Sequence, residues 1–202
     1  MGQELVKKIV DIEWSMFDAV NRGTGLRASC QEDPETFYIM RASQAEAWTE
    51  ALRESYYADL LAAEAEGRNL LTEKYARMME STDPAAFARL RQALPPVDED
   101  TLRLIEEIVR VQLAWKEDMS RRYPRLTALG RTLYTRDDTP FDTSFETYLR
   151  GELRTYSPRT IRLYRDMVRQ LEAEGENLEE RCLLETVKKY GYDSLEQAEN
   201  RN

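Results

Sequence analysis

Histidine is missing from all 202 residues of the chain. That absence removes every mechanism built on an imidazole: serine and cysteine triads, histidine-ligated zinc or haem, and di-iron sites of the Glu-x-x-His type. A basic surplus is missing too. Lys plus Arg number 29 against 38 Asp plus Glu, a formal charge of −9, which is the wrong sign for a phosphate backbone, so no nucleic-acid partner is expected. No apolar run approaches the roughly 18 residues that cross a bilayer, so no membrane partner is expected either. Met1-Gly2-Gln3-Glu4 puts an acid where a secretory signal carries basic residues, and Val6 stands where a myristoylation site has Ser or Thr. Two cysteines, Cys30 and Cys182, share no CxxC spacing. The expectation is a pair of reduced thiols in a cytoplasmic protein.

Eight glycines, seven prolines and 42% apolar residues suit a helix-rich chain long enough for one buried core. Leu5, Ile9, Ile12, Met16 and Val20 trace one face of a first helix. Asp33-Pro34 supplies a cap and a first-turn proline for the next, whose buried stripe reads Phe37, Met40, Ala45 and Trp48. Thr49 recaps a continuation through Leu52, Tyr56, Leu60 and Ala63 that Gly67 stops, and Asn69 and Asp83-Pro84 open two more. No stretch alternates with period two. The fold class is all-α.

After Pro95-Pro96 the pattern returns. Leu5 to Glu13 resembles Leu104 to Gln112 at an offset of 99, and Thr36-Phe37 matches Ser144-Phe145 at 108. The second offset also pairs Trp48-Thr49 with Tyr156-Ser157, Tyr56 with Tyr164, and Glu64-Ala-Glu-Gly-Arg-Asn-Leu70 with Glu172-Ala-Glu-Gly-Glu-Asn-Leu178. The change in offset falls in a loop, where insertions are tolerated. The expectation is a single domain over 1–202 made of two tandem helical units, 1–96 and 97–202. They arise from an internal duplication and pack with pseudo-twofold symmetry.

If the helices repeat, the departures from the repeat are where function is sought. The loops from Asn21 to Asp33 and from about Arg122 to Asp142 both carry arginine and feed a helix N-terminus. Helix-end donors beside a guanidinium suit a carboxylate or phosphate. Cys30, close to Arg27 and three residues before the cap Asp33, is the candidate nucleophile, against the commoner fate of an inert buried thiol. Arg41 and Gln44 on one second helix, with Glu146, Tyr148, Arg150 and Glu152 on the other, would form a polar seam if the helices meet. Gly151, matching Ser43, would let them approach closely. The seam reads equally as acid–base equipment or as a buried structural network. Glu73, Arg77 and Glu80 read as an exposed ladder of charge pairs. Asp137-Asp138 and Asp142 make no magnesium motif, because Pro140 interrupts them and Asp142 reads as a helix cap. No metal site and no cofactor are expected.

Arg27-Ala-Ser-Cys-Gln31, Thr36-Phe37 with Met40-Arg41, the run from Asn69 to Ser81, and the run from Ser144 to Glu152 together resemble a bacterial family known only as a domain of unknown function, the DUF 4125 family. The resemblance covers nearly the whole chain. Many relatives carry Asp-Trp before the Glu-Thr-Phe block, where this chain has Asp33-Pro34. The resemblance implies a bacterial cytoplasmic protein and carries over no catalytic assignment.

Two functions are therefore weighed. The first is a cofactor-independent enzyme or binding protein for a small anionic metabolite. In it Arg27, Gln31, Arg41, Gln44, Tyr148 and Arg150 hold the ligand, Glu146 or Glu152 moves a proton, and Cys30 attacks. The second is a non-catalytic helical module that presents a face to a protein partner.

Overall fold

A computed structural model describes residues 2–20 and 29–201, with Ser29 and Cys30 described by their backbone alone. Eleven α-helices lie among the described residues: α1 Gly2–Ala19, α2 Pro34–Glu46, α3 Glu50–Ala65, α4 Leu70–Thr82, α5 Pro84–Leu90, α6 Glu99–Arg122, α7 Pro124–Thr127, α8 Phe145–Leu153, α9 Pro158–Glu174, α10 Leu178–Lys189 and α11 Leu195–Glu199. No strand occurs among them. No helix of the described residues is long and apolar enough to cross a membrane.

The helix starts follow from short polar side chains that satisfy an otherwise orphaned backbone N–H. Asp33 accepts from Thr36 N, Thr49 from Leu52 N, Asn69 from Thr72 N, Asp83 from Ala86 N, and Asp98 from Thr101 N. Ser144, Ser157 and Asn177 do the same for α8, α9 and α10. The cap of α8 is thus Ser144 rather than Asp142, because the chain between them turns back on itself: Thr139 N donates to Asp142 O at 2.9 Å. Gly67 and Gly175, with φ of 68° and 70°, close α3 and α9 in the left-handed region that favours glycine.

One core runs through both halves of the chain. Ile9, Leu52 and Leu60 share it with Ile105, Ile108, Ile161 and Tyr164, all nearly solvent-free. Around it α1 packs on α2, α3 and α4, and α6 packs on α8, α9 and α10. Among the described residues the halves meet chiefly where α3 packs on α9, α2 on α10, and α4 on α8. A smaller cluster of Met119, Tyr123, Val187, Leu195 and Ala198 closes the C-terminal end.

Two sequence expectations need correction here. Met40 is half exposed and leaves the expected stripe of α2. Gly151 does permit a close approach, but to α4: a Cβ there would stand 2.9 Å from Met78 Cγ and 3.2 Å from the Lys74 carbonyl. Ser43, its counterpart, is fully buried and turns its hydroxyl onto Ile39 O at 2.8 Å.

Candidate functional site

The α4–α8 contact brings Glu152, in the last turn of α8, into the interior at 4% exposure. A carboxylate there must be met by donors or its burial is prohibitive. Oε1 accepts from Arg41 Nη1 and Nη2, both at 3.1 Å, from the Tyr156 hydroxyl at 2.8 Å, and from Gln44 Nε2 at 3.4 Å. Oε2 takes Lys74 Nζ at 3.2 Å. Arg41 reaches in the other direction to Glu13 of α1, with Nε 2.9 Å from Oε2 and Nη2 against Oε1, and it also donates to Gln44 Oε1 at 2.7 Å. Tyr56 of α3 closes the chain of contacts on Glu13 Oε1 at 2.7 Å. Two carboxylates, a guanidinium, an ammonium and two phenols are thus linked across five helices.

Burial works to raise the Glu152 pKa, but the charges of Arg41 and Lys74 and the Tyr156 hydrogen bond outweigh it and hold the carboxyl down to about 2. Glu152 is therefore ionised at neutral pH and a weak base. Burial works against the charged form of Arg41 and of Lys74 as well, yet the facing carboxylates and phenol oxygens leave both firmly protonated. The Tyr56 and Tyr156 hydroxyls are pushed well above their usual range, by burial first and then by the carboxylates they face.

The network reaches the surface through Tyr148, which is partly exposed. Lys74 Nζ donates to the Tyr148 hydroxyl at 2.7 Å and lies 4.2 Å from the centre of its ring. Arg131, exposed on the loop 128–143, sets its guanidinium 4.6 Å from the same ring centre. Its hydrogen bond goes to Thr143 O at 2.9 Å, and among the described residues no carboxylate pairs with it. Arg41 and Lys74 balance Glu13 and Glu152, and Lys74 and Arg131 together set two cations against the Tyr148 ring.

Glu146 and Arg150 belong to a different group. Arg150 grips Glu106 of α6 with Nε at 2.7 Å and Nη2 at 2.9 Å, and Nη2 also reaches Glu146 at 2.9 Å. Glu146 accepts Thr135 N at 2.8 Å. This pair fastens the loop and α8 to α6. Gln31 is buried and donates to Phe17 O at 2.7 Å and Val20 O at 3.1 Å, bracketing the end of α1. Arg27 and the side chain of Cys30 lie outside the described residues. Of the expected site residues, then, Arg41, Gln44, Tyr148 and Glu152 come together, while Gln31, Glu146 and Arg150 serve other contacts.

Sequence reasoning missed Glu13, Tyr56, Lys74 and Tyr156, and reached Arg131 only as an arginine of the loop from about Arg122 to Asp142. A signal existed for two of them. Lys74 is spaced with Leu70, Leu71 and Met78, and Glu13 with Ile9, Val10, Met16 and Phe17, so each is a charge on an apolar stripe. The ladder of Glu73, Arg77 and Glu80 also resolves differently: Glu73 pairs with Arg68, Glu80 with Arg154, and Arg77 donates to Pro95 O.

A family model described as a protein of unknown function (DUF4125) matches residues 3–200. No curated protein and no solved structure matches the chain.

Proposed function

The chain belongs to the DUF4125 family, and for this member we propose that it binds a small anionic metabolite at the mouth of the buried network, on Lys74, Tyr148 and Arg131. The observation that carries this reading is the pair of cations, Lys74 and Arg131, set 4.2 and 4.6 Å from the centre of the Tyr148 ring. In a chain of net charge −9, a cationic spot over an aromatic ring favours an anion with an apolar portion. Glu152 then acts as the anchor that holds Lys74 and Arg41 charged and in place, not as the group that moves a proton. If a reaction follows binding, Tyr148 is the group placed to exchange a proton, with the Lys74 ammonium at its oxygen. Cys30 keeps its standing as the candidate nucleophile on the sequence alone.

The duplication is part of the same proposal. Asn69 caps α4 and donates to Met16 O at 2.8 Å; Asn177 caps α10 and donates to Trp115 O at 3.3 Å. These pairs differ by the offsets 108 and 99 that the sequence repeats. Glu13 with Tyr56 and Gln112 with Tyr164 differ by the same offsets and are both hydrogen-bonded. Helix packing exchanges in step, α2 on α10 and α8 on α4. Under this correspondence, Gln112, Leu149, Cys182 and Gln44 stand where Glu13, Arg41, Lys74 and Glu152 do. The corresponding positions of the other half are uncharged, and its own ion pair, Lys116 with Glu179 at 2.9 Å, stands at different positions of the repeat, so the repeat by itself does not dictate the Arg41 network.

The test is a thermal-shift titration with succinate, phosphate and 3-phenylpropionate on the wild-type chain and on Arg131→Gln. Binding raises the wild-type Tm by mass action, and Arg131→Gln, an exposed change, keeps the unliganded Tm and loses the shift. The reading fails if no anion shifts the wild type or if Arg131→Gln shifts equally. The second reading, a protein-interaction module, is favoured by Leu129 and Phe141, 87% and 95% exposed on the same loop. Phe141→Ser would abolish partner capture and leave anion binding intact.

A further inference from the structure

Among the described residues, the large apolar side chains of Met40, Leu61, Leu90 and Tyr190 reach the surface half-buried, whereas Leu129 and Phe141 stand almost wholly in water. Both belong to the loop 128–143, and that loop is firmly held. Asp138 pins it by accepting from Ser81 Oγ, Thr147 Oγ1 and Ser144 N, each at 2.6 Å. Thr139 Oγ1 accepts from Phe141 N at 3.2 Å and from Asp142 N at 2.9 Å, which closes the turn that carries the phenyl ring. Arg131 donates to Thr143 O at 2.9 Å and so ties the Leu129 arm of the loop to the Phe141 arm. An apolar side chain held at a fixed place in water is preorganised for a second surface, because little ordering remains to be done on contact.

The charges around these two side chains indicate what covers them. Arg131 and Arg136 share the loop with Asp137 and Asp142, all four exposed, and among the described residues none of them is in an ion pair. The Arg136 guanidinium lies instead 4.1 Å from the centre of the Tyr134 ring. A partner of one sign, an anionic bilayer or a nucleic acid included, would meet its own sign as often as the opposite one. A second copy turned about a twofold axis presents the same patch reversed, so arginines of one copy face aspartates of the other. We propose that the loop 128–143 is the contact surface of a homodimer, with Leu129 and Phe141 of both copies packed at the axis and Arg136 of each copy paired with Asp142 of the other. The second copy is thus the partner in the interaction reading of the loop, on which the dimer rests; no anion at Tyr148 is required. A contact built mainly on one loop is smaller than the roughly 20–30 residues a side of a standard interface, so the dimer is weak, with a dissociation constant on the order of 10 µM.

The experiment is sedimentation velocity of the full chain from roughly 2 to roughly 200 µM, either side of that constant. The wild type passes from monomer to dimer over this range. Phe141→Ser, an almost fully exposed change, keeps the wild-type Tm and stays monomeric. Arg136→Glu and Asp142→Arg each set like charges across the axis and weaken the dimer about ten-fold or more. Mixed in equal amounts, these two variants form a heterodimer as stable as the wild-type dimer, because each copy then meets the opposite sign. Arg131 is untouched in all three variants, so the anion titration stands or falls by itself. The homodimer is overturned if the wild type remains a monomer at the highest concentration, if Phe141→Ser dimerises like the wild type, or if the two reversed variants fail to pair when mixed. The broader interaction reading fails separately, if Phe141→Ser captures the same proteins from a lysate as the wild type does.

Discussion

Replacing all four charges of the buried network at once should disturb the fold far less than replacing one. Arg41 alone carries bonds to Glu13, Glu152 and Gln44. Arg41→Leu leaves two buried carboxylates with Lys74 as the sole cation, and Glu13 with the Tyr56 hydroxyl as its only donor described above. Stranding a buried charge costs about 3–5 kcal/mol. Glu13→Gln, Lys74→Met and Glu152→Gln each strand a partner in the same way, so four independent losses would sum to roughly 12–20 kcal/mol, more than the ~5–15 kcal/mol that holds a domain of this kind folded. The quadruple variant, however, strands nothing. It gives this junction the neutral character that Gln112, Leu149, Cys182 and Gln44 have at the corresponding positions, and neutral groups of similar volume replace buried ion networks at a net change within about 3 kcal/mol. Urea unfolding followed by circular dichroism measures each variant, with the coupling taken from the full cycle. A folded quadruple variant, more stable than Arg41→Leu and unable to bind the anion, is the expected result. If the quadruple variant unfolds, or the single losses add, the charges are an integral part of the packing and the functional reading of the network falls.

Three further outcomes follow from the same contacts. Glu152 is depressed from 4.5 to about 2 in the folded chain, so its contribution is complete above the unfolded pKa and is lost as pH falls from about 4.5 through about 2. That loss is on the order of 3 kcal/mol, and urea midpoints taken across the window should fall more steeply for the wild type than for Glu152→Gln; parallel curves would contradict it. Gly151→Ala places a methyl group against Met78 Cγ and the Lys74 carbonyl, and overpacking by this much should outweigh the gain in helix propensity and cost about 1–2 kcal/mol in a urea melt. Asp138 accepts from Ser81, Thr147 and Ser144 N, each at 2.6 Å, so Asp138→Ala should raise hydrogen exchange across 139–144 while the core helices keep their protection.

What the sequence made legible was decided by how local the cause is. Helix starts were readable because a cap acts on the backbone two or three residues away: Asp33, Thr49, Asn69 and Asp83 all do what their positions require. Asp142 misled because the competing cap, Ser144, depends on a turn between residues 139 and 142. The seam was half legible for the same reason. The 108 offset aligned Gln44 with Glu152, and these two do meet, but Arg150 and Glu146 left the seam because Glu106 of α6 offers Arg150 a two-pronged contact that no spacing along α8 announces. Lys74 is the instructive miss. Read along α4 alone, a lysine among Leu70, Leu71 and Met78 is a side chain whose stem lies on apolar surface and whose head escapes to water. Escape is blocked here because α8 presses close at Gly151, so the ammonium stays inside at 2% exposure and must find Glu152 and Tyr148. The same glycine that brings the helices together thus forces the charge inward, and a charge so trapped needs the carboxylate that Arg41 also holds. Close packing at one residue, rather than any motif, is what assembles the site.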